Sequence, residues 1–133
     1  MESGVLLGID HGGSTTTALV LDPESGSMTA RSVAMPKSMP RDGWVEHDPE
    51  DFLRTSLDAA RAALDAAGLT WRDVRAVGLA NQGETSMAWQ SGDGGAVGPA
   101  LSWEDRRTSA LCDSLAERGV DILVRERTGV LLD

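Results

Sequence analysis

An aspartate, two glycines and four consecutive hydroxyl residues stand between two apolar runs, in VLLGIDHGGSTTTALVLD from Val5 to Asp22. This is the equipment of a phosphate-binding hairpin. Gly12 and Gly13 permit positive φ and close backbone approach, and Ser14, Thr15, Thr16 and Thr17 add hydroxyl donors beside the exposed amides of a turn. Asp10 closes the first run with a charge and is placed to hold Mg²⁺, directly or through water, because that hard ion prefers carboxylate and water oxygens. The same residues also suit an ordinary hairpin with a Gly-Gly turn followed by β-favouring threonines. The run is not GxGxxG, and no GxxxxGK[ST] sequence occurs in the chain, so neither helix-terminus phosphate loop applies.

A second set lies near residue 80. Glu84, in Asn81-Gln82-Gly83-Glu84-Thr85, offers a carboxylate that accepts hydrogen bonds from sugar or polyol hydroxyls, while Trp103 offers an apolar wall for a polyol C–H face. An analogue lacking the hydroxyl would leave the carboxylate unsatisfied, which is a source of selectivity. The plainer alternatives are a solvated loop acid and a core tryptophan.

The elements that must position these groups are readable from pattern. Val5 to Asp10, Thr16 to Asp22 and Met28 to Met35 are expected as three antiparallel neighbours, and the unbroken apolar first run as a strand buried on both faces. Residues 36–43, with two prolines and a glycine, are expected as loop. A helix follows, with Asp48 as its cap, Pro49 at its first position, Glu50 and Asp51 at its positive end and Gly68 as its stop. Leu53, Leu57, Ala60, Leu64 and Ala67 recur at helical steps and are expected as its buried stripe. Val74 to Ala80 then returns as a strand parallel to an earlier one, which puts NQGET beyond a strand's carboxyl end, where open α/β sheets bind ligands. Met87–Gln90 and Ala96–Val97 flank a Gly-Asp-Gly-Gly turn as another hairpin. A helix is expected from about Asp105 to Arg118, ending at Gly119, with a shorter helical turn before Thr128-Gly129. Within this scheme Trp44, Glu46, His47 and Asp48 are structural, and Glu104, Asp105, Arg106 and Arg107 form a helix-start charge run.

Composition narrows the partners. The chain has 133 residues, 41% of them hydrophobic, and a net charge of −9, enough for one domain with a core. Such a balance argues against nucleic acid or an anionic membrane, whose phosphates reward clustered Lys and Arg. The lone Cys112 excludes an internal disulfide and is expected to pack on its helix; His11 and His47 form no zinc-type cluster with it. Without a basic leader or a long apolar stretch, a soluble cytoplasmic protein is expected, with its oligomeric state, homo-oligomer included, left open.

GIDHGGSTTTALVLD resembles the first phosphate motif of the FGGY carbohydrate kinases, members of the actin-like, ribonuclease-H-like ATPase superfamily. Three further segments agree in order and approximate spacing with the glycerol kinase branch: GWVEHDPEDF from Gly43, VGLANQGETSMAWQ from Val77 and PALSWEDRRT from Pro99. The resemblance implies an α/β, ribonuclease H-like fold, here a partial N-terminal domain with a mixed sheet and flanking helices. It also implies ATP-dependent phosphorylation of a hydroxyl on a polyol or sugar. Asp10 would carry Mg²⁺, Gly12, Gly13, Ser14 and Thr15 would hold the phosphates, and Gly83, Glu84 and Trp103 would meet the acceptor. No catalytic residue falls within the chain, because the family's general base lies downstream of Asp133. The chain is therefore expected to be a truncated N-terminal lobe, inactive alone. Two departures stand out: glycerol kinases typically read NQRET where this chain has Gly83, which puts glycerol specificity in question, and often carry arginine where it has Thr17. A non-catalytic actin-like nucleotide sensor or a degenerate kinase fragment is the alternative reading.

Overall fold

A computed structural model describes residues 4–132. Strands β1 (Val5–His11), β2 (Thr15–Leu21), β3 (Met28–Ala34) and β5 (Val74–Asn81) form one sheet in the order β3-β2-β1-β5. The first three are antiparallel neighbours, and β5 runs parallel to β1 after the crossover helix α1 (Pro49–Ala67). Two-residue strands β4 (Glu46–His47) and β6 (Ala100–Leu101) make a second, antiparallel pair. That pair escapes sequence patterning because two residues show no periodicity. The expected hairpin at residues 87–97 reduces to one bridge, Trp89 with Ala96, closed by the Gln90 N–H to Gly95 carbonyl bond of 2.8 Å.

Helix α1 is punctuated as its sequence demands. Asp48 accepts the Glu50 N–H at 3.0 Å, Pro49 opens the first turn, and Gly68 ends it at φ +70°, a conformation that favours glycine. Its buried face, however, runs through Thr55, Ser56, Ala59, Ala60, Ala63 and Leu64, while Leu53 and Leu57 are 66% and 42% exposed. The expected stripe was thus rotated toward the larger apolar residues. The reason is local satisfaction: the Thr55 and Ser56 hydroxyls donate to the Asp51 and Phe52 carbonyls at 2.7 and 2.8 Å, which lowers the cost of burying them. Their small neighbours let the helix lie close on Val5, Leu7, Ile9, Ala18 and Val20, and these residues form the core.

Strand β1 is covered on one face only, contrary to the expectation of two. Leu7 is 1% exposed beneath α1, whereas Leu6 is 37% exposed beside an open apolar trough of about 390 Å³ that Leu19, Leu21 and Ala76 also line. Further corrections concern the last third of the chain. Turns at residues 103–104 and 107–108 precede helix α2, which begins only at Ser109 and ends at Ala116. Gly119, at φ +75°, separates it from α3 (Val120–Thr128), whose nine residues make a full helix rather than a short turn. Cys112 is a half-buried free thiol on α2. Among the described residues no helix is long and apolar enough to cross a membrane.

The two faces of α1 should respond differently to truncation. Leu64→Ala should cost about 2–5 kcal/mol and Leu53→Ala less than about 0.5 kcal/mol, measured as urea-midpoint shifts at unchanged slope.

Candidate functional site

The parallel pairing of β1 with β5 places two loops side by side. It ends at His11 opposite Asn81, and one further bond, from the Gln82 N–H to the His11 carbonyl at 2.8 Å, carries the contact into NQGET. The Gly12–Ser14 hairpin tip and Glu84 therefore depart from the same edge of the sheet.

Beneath the tip, a polar network fastens the hairpin to α1. His11 bonds to Thr16 Oγ1 through Nδ1 (3.1 Å) and to Ser56 Oγ through Nε2 (2.6 Å), while Thr16 and Thr55 share a 2.8 Å hydroxyl bond. Phe52 packs against the imidazole, with ring centroids 5.5 Å apart. Burial holds the His11 pKa below its usual value, and the nearby negative charge of Asp10 only partly opposes this. Thr16 is fully buried, so its hydroxyl belongs to this network and not to a ligand, and Thr17 bonds to Ser32 at 2.8 Å. Only Ser14 and Thr15 remain as exposed hydroxyls at the tip.

Gly12 and Gly13 do not adopt positive φ, which corrects the reason expected for them. They are required by close approach. The Gly12 N–H is taken by the Thr15 carbonyl at 2.9 Å, and a Cβ on Gly12 would lie 3.1 Å from that same oxygen. A Cβ on Gly13 would lie 3.1 Å from Gln82 Oε1 and 3.4 Å from Trp103 Nε1. Thus the tip, Gln82 and Trp103 converge on one point. Asp10 is exposed on the open sheet face, directly across from Thr17. An exposed carboxylate next to a tip without side-chain bulk suits Mg²⁺, which takes one or two carboxylates, waters and substrate phosphates.

Glu84 and Trp103 line one cleft of about 510 Å³, together with Ser86, Ser102, Arg106 and Arg107. Trp103 is 54% exposed, a cleft wall and not a core residue. Gly83 stands beside it with open space around its Cα, since a Cβ there would meet nothing within 4 Å. The cleft floor is held by reciprocal Ser86–Leu101 backbone bonds of 3.0 and 2.8 Å.

The expected helix-start charge run has another task. Arg107 donates to Glu46 at 2.6 Å and to both Asp105 oxygens at 2.7 and 2.8 Å, and its guanidinium stacks 3.8 Å from the centroid of the Trp44 ring. Asp105 also accepts the Val45 N–H at 2.8 Å, and Lys37 pairs with Glu104 at 2.8 Å. Apart from the Arg107–Asp105 bonds, these contacts join residues some sixty positions apart, so no local pattern announces them. His47 is likewise structural: it is buried and donates from Nδ1 to the Pro36 carbonyl at 2.6 Å. Among the described residues, the group that sequence reasoning passed over is Gln82, although it stands two positions from Glu84.

Residues 5–133 match the model of the FGGY family of carbohydrate kinases, N-terminal domain. The chain belongs to that family. It is 46% identical to a glycerol kinase of Methylobacterium nodulans over 129 residues, covering 97% of this chain, and 42% identical to that of Aromatoleum aromaticum over 128 residues, covering 96%. In both cases it spans only 26% of the relative's length. Among solved structures, the Plasmodium falciparum glycerol kinase with ADP superposes with a TM-score of 0.83 at 20% identity, and a Lactobacillus acidophilus gluconate kinase with 0.80 at 18%. Each match covers 98% of this chain and 26% of the other. The mixed sheet with flanking helices is thus the actin-like ATPase fold of this FGGY domain.

The Arg107 side-chain bonds are the main reason that the Asp105 carboxyl in the FGGY domain titrates at about 2, well below its ordinary 3.8. The stability it contributes is therefore present above pH ~4 and is lost as pH falls toward about 2. Asp105→Asn should be less stable than wild type at pH 7, with the difference vanishing near pH 2 in pH-dependent urea titrations.

Proposed function

We propose that this chain is the N-terminal part of a longer kinase that transfers the terminal phosphoryl group of ATP to a hydroxyl of a polyol or sugar. The observation that carries the reading is the convergence at Gly13, where a Cβ would touch both Gln82 Oε1 and Trp103 Nε1. It sets a phosphate-type hairpin against an acceptor-type cleft. The glycerol kinase relatives and the 26% coverage of their length support both parts of the proposal.

The roles follow from position. Gly12, Gly13, Ser14 and Thr15 hold the phosphates at the tip, Glu84 accepts hydrogen bonds from acceptor hydroxyls, and Trp103 packs against the acceptor's carbon face. Mg²⁺, carried at Asp10, would neutralise charge on the terminal phosphates. Positioning dominates the chemistry. Asp105, one of two acids lining the cleft, is an unsuitable base, since Arg107 keeps its carboxylate weakly basic. The family resemblance, and not this exclusion, implies a base on the remainder of the protein, and on that reading this chain alone does not turn over. A reaction that consumes ATP fits a cytoplasmic location.

Gly83 tunes the acceptor. Where glycerol kinases typically place a guanidinium, this chain leaves open volume, which favours an acceptor larger than glycerol. ADP formation by the full-length protein, screened against glycerol, longer polyols and sugars, should depend on the alcohol; nucleotide binding without that dependence would identify a sensor instead. Gly83→Arg should raise kcat/KM for glycerol relative to a five-carbon polyol by about 10-fold or more, the size of a hydrogen bond to a charged group. An unchanged ratio would remove Gly83 as the selectivity position.

A further inference from the structure

Both heteroatoms of the Gln82 carboxamide, Oε1 and Nε2, are buried without a hydrogen-bond partner among the described residues. Its backbone is well anchored, with the N–H bonded to the His11 carbonyl at 2.8 Å. The side chain thus sits where the hairpin leaves β1, and its Oε1 is the atom nearest to a Cβ built on Gly13, at 3.1 Å. Thr85 Oγ1, three residues on in the same segment, is also buried and unpartnered.

Buried polar groups in native proteins are paired, and an apolar side chain of similar shape would fill this position at less cost. A carboxamide offers two N–H donors and one carbonyl acceptor from one rigid plane. Phosphoryl transfer to an alcohol brings together the complementary pair: a phosphoryl oxygen, which accepts, and a hydroxyl, which donates. The side chain stands beside the tip that would hold the first, two residues before the glutamate that would hold the second.

We propose that Gln82 is a substrate-contacting residue of this kinase, its carboxamide, whose O and N positions a flip of the amide exchanges, donating through its N–H to an oxygen of the phosphoryl group at the hairpin tip and accepting through its carbonyl from the acceptor hydroxyl. This deepens the kinase reading above and rests on it. The carboxamide exchanges no proton; it aligns the two reactants and leaves deprotonation to the base. Gly13 has a matching explanation, since a Cβ there would crowd the carboxamide at 3.1 Å.

The test compares wild type and Gln82→Met in the full-length protein, using the best alcohol from the acceptor screen. Met keeps the length and apolar bulk of the side chain and removes its donors and acceptor. The expected result is a fall in kcat of about 10-fold or more with KM for ATP changed less than about threefold, and a ligand-free Tm equal to or above that of wild type. A kcat within about threefold of wild type overturns the assignment. So does a lost kcat accompanied by a lowered ligand-free Tm, because Gln82 would then be a structural residue paired elsewhere in the protein. A wild type without alcohol-dependent ADP formation overturns the kinase reading itself, and this assignment with it, which separates the two failures.

Discussion

The parallel alignment of β1 with β5 is the constraint on which the rest of the molecule depends. It is secured by α1, which spans the crossover, and it ends in the Gln82 N–H to His11 carbonyl bond. A parallel pair brings two chain ends to the same edge of a sheet, and here the two ends are a glycine hairpin and an acidic loop. Were β5 antiparallel, NQGET would emerge at the opposite edge, a strand length away. The domain thus obtains adjacency between its glycine hairpin and its NQGET loop from strand direction, before any side chain is chosen.

Precision comes from polar groups that the sheet alone would not order. His11, Thr16, Thr55 and Ser56 link the foot of the hairpin to the middle of α1, on the buried side. Because Thr55 and Ser56 also bond to carbonyls of their own helix, the network ties hairpin and helix at several points, and losing one member would leave its partners buried with fewer bonds. A hairpin held in this way presents its tip at a fixed height above the sheet. The absence of Cβ atoms at Gly12 and Gly13 then lets the backbone, Gln82 and Trp103 meet closely.

A second anchor serves the cleft lined by Glu84 and Trp103. Arg107 ties the β4 segment to the turn after Trp103 by bonds to Glu46 and Asp105 and by stacking on Trp44, and these groups are largely sheltered from solvent. Its fork-shaped, permanently charged head is suited to holding two carboxylates at once. The motif residues around Trp103 therefore divide by function, with Arg107 and Asp105 bracing the wall while Trp103 and Glu84 face the cleft. The exposed apolar strip on the far side of β1, at Leu6, Leu19 and Leu21, has no part in either anchor.

Much of this was written locally. The strands around the glycine hairpin, the Asp48 and Gly68 boundaries of α1, the return of β5 and the candidacy of Asp10, Glu84 and Trp103 all follow from short-range patterns, because turns, caps and alternation act over a few residues. The family likeness extended that reading to the fold, since its four motifs lie in order along the chain. Only the tertiary structure decided which face of α1 is buried, that Thr16 serves the core and not a ligand, that Arg107 is a brace, and that Gln82 lies at the junction. Each of those outcomes depends on partners roughly forty to seventy residues away, and no local pattern carries the distance between them.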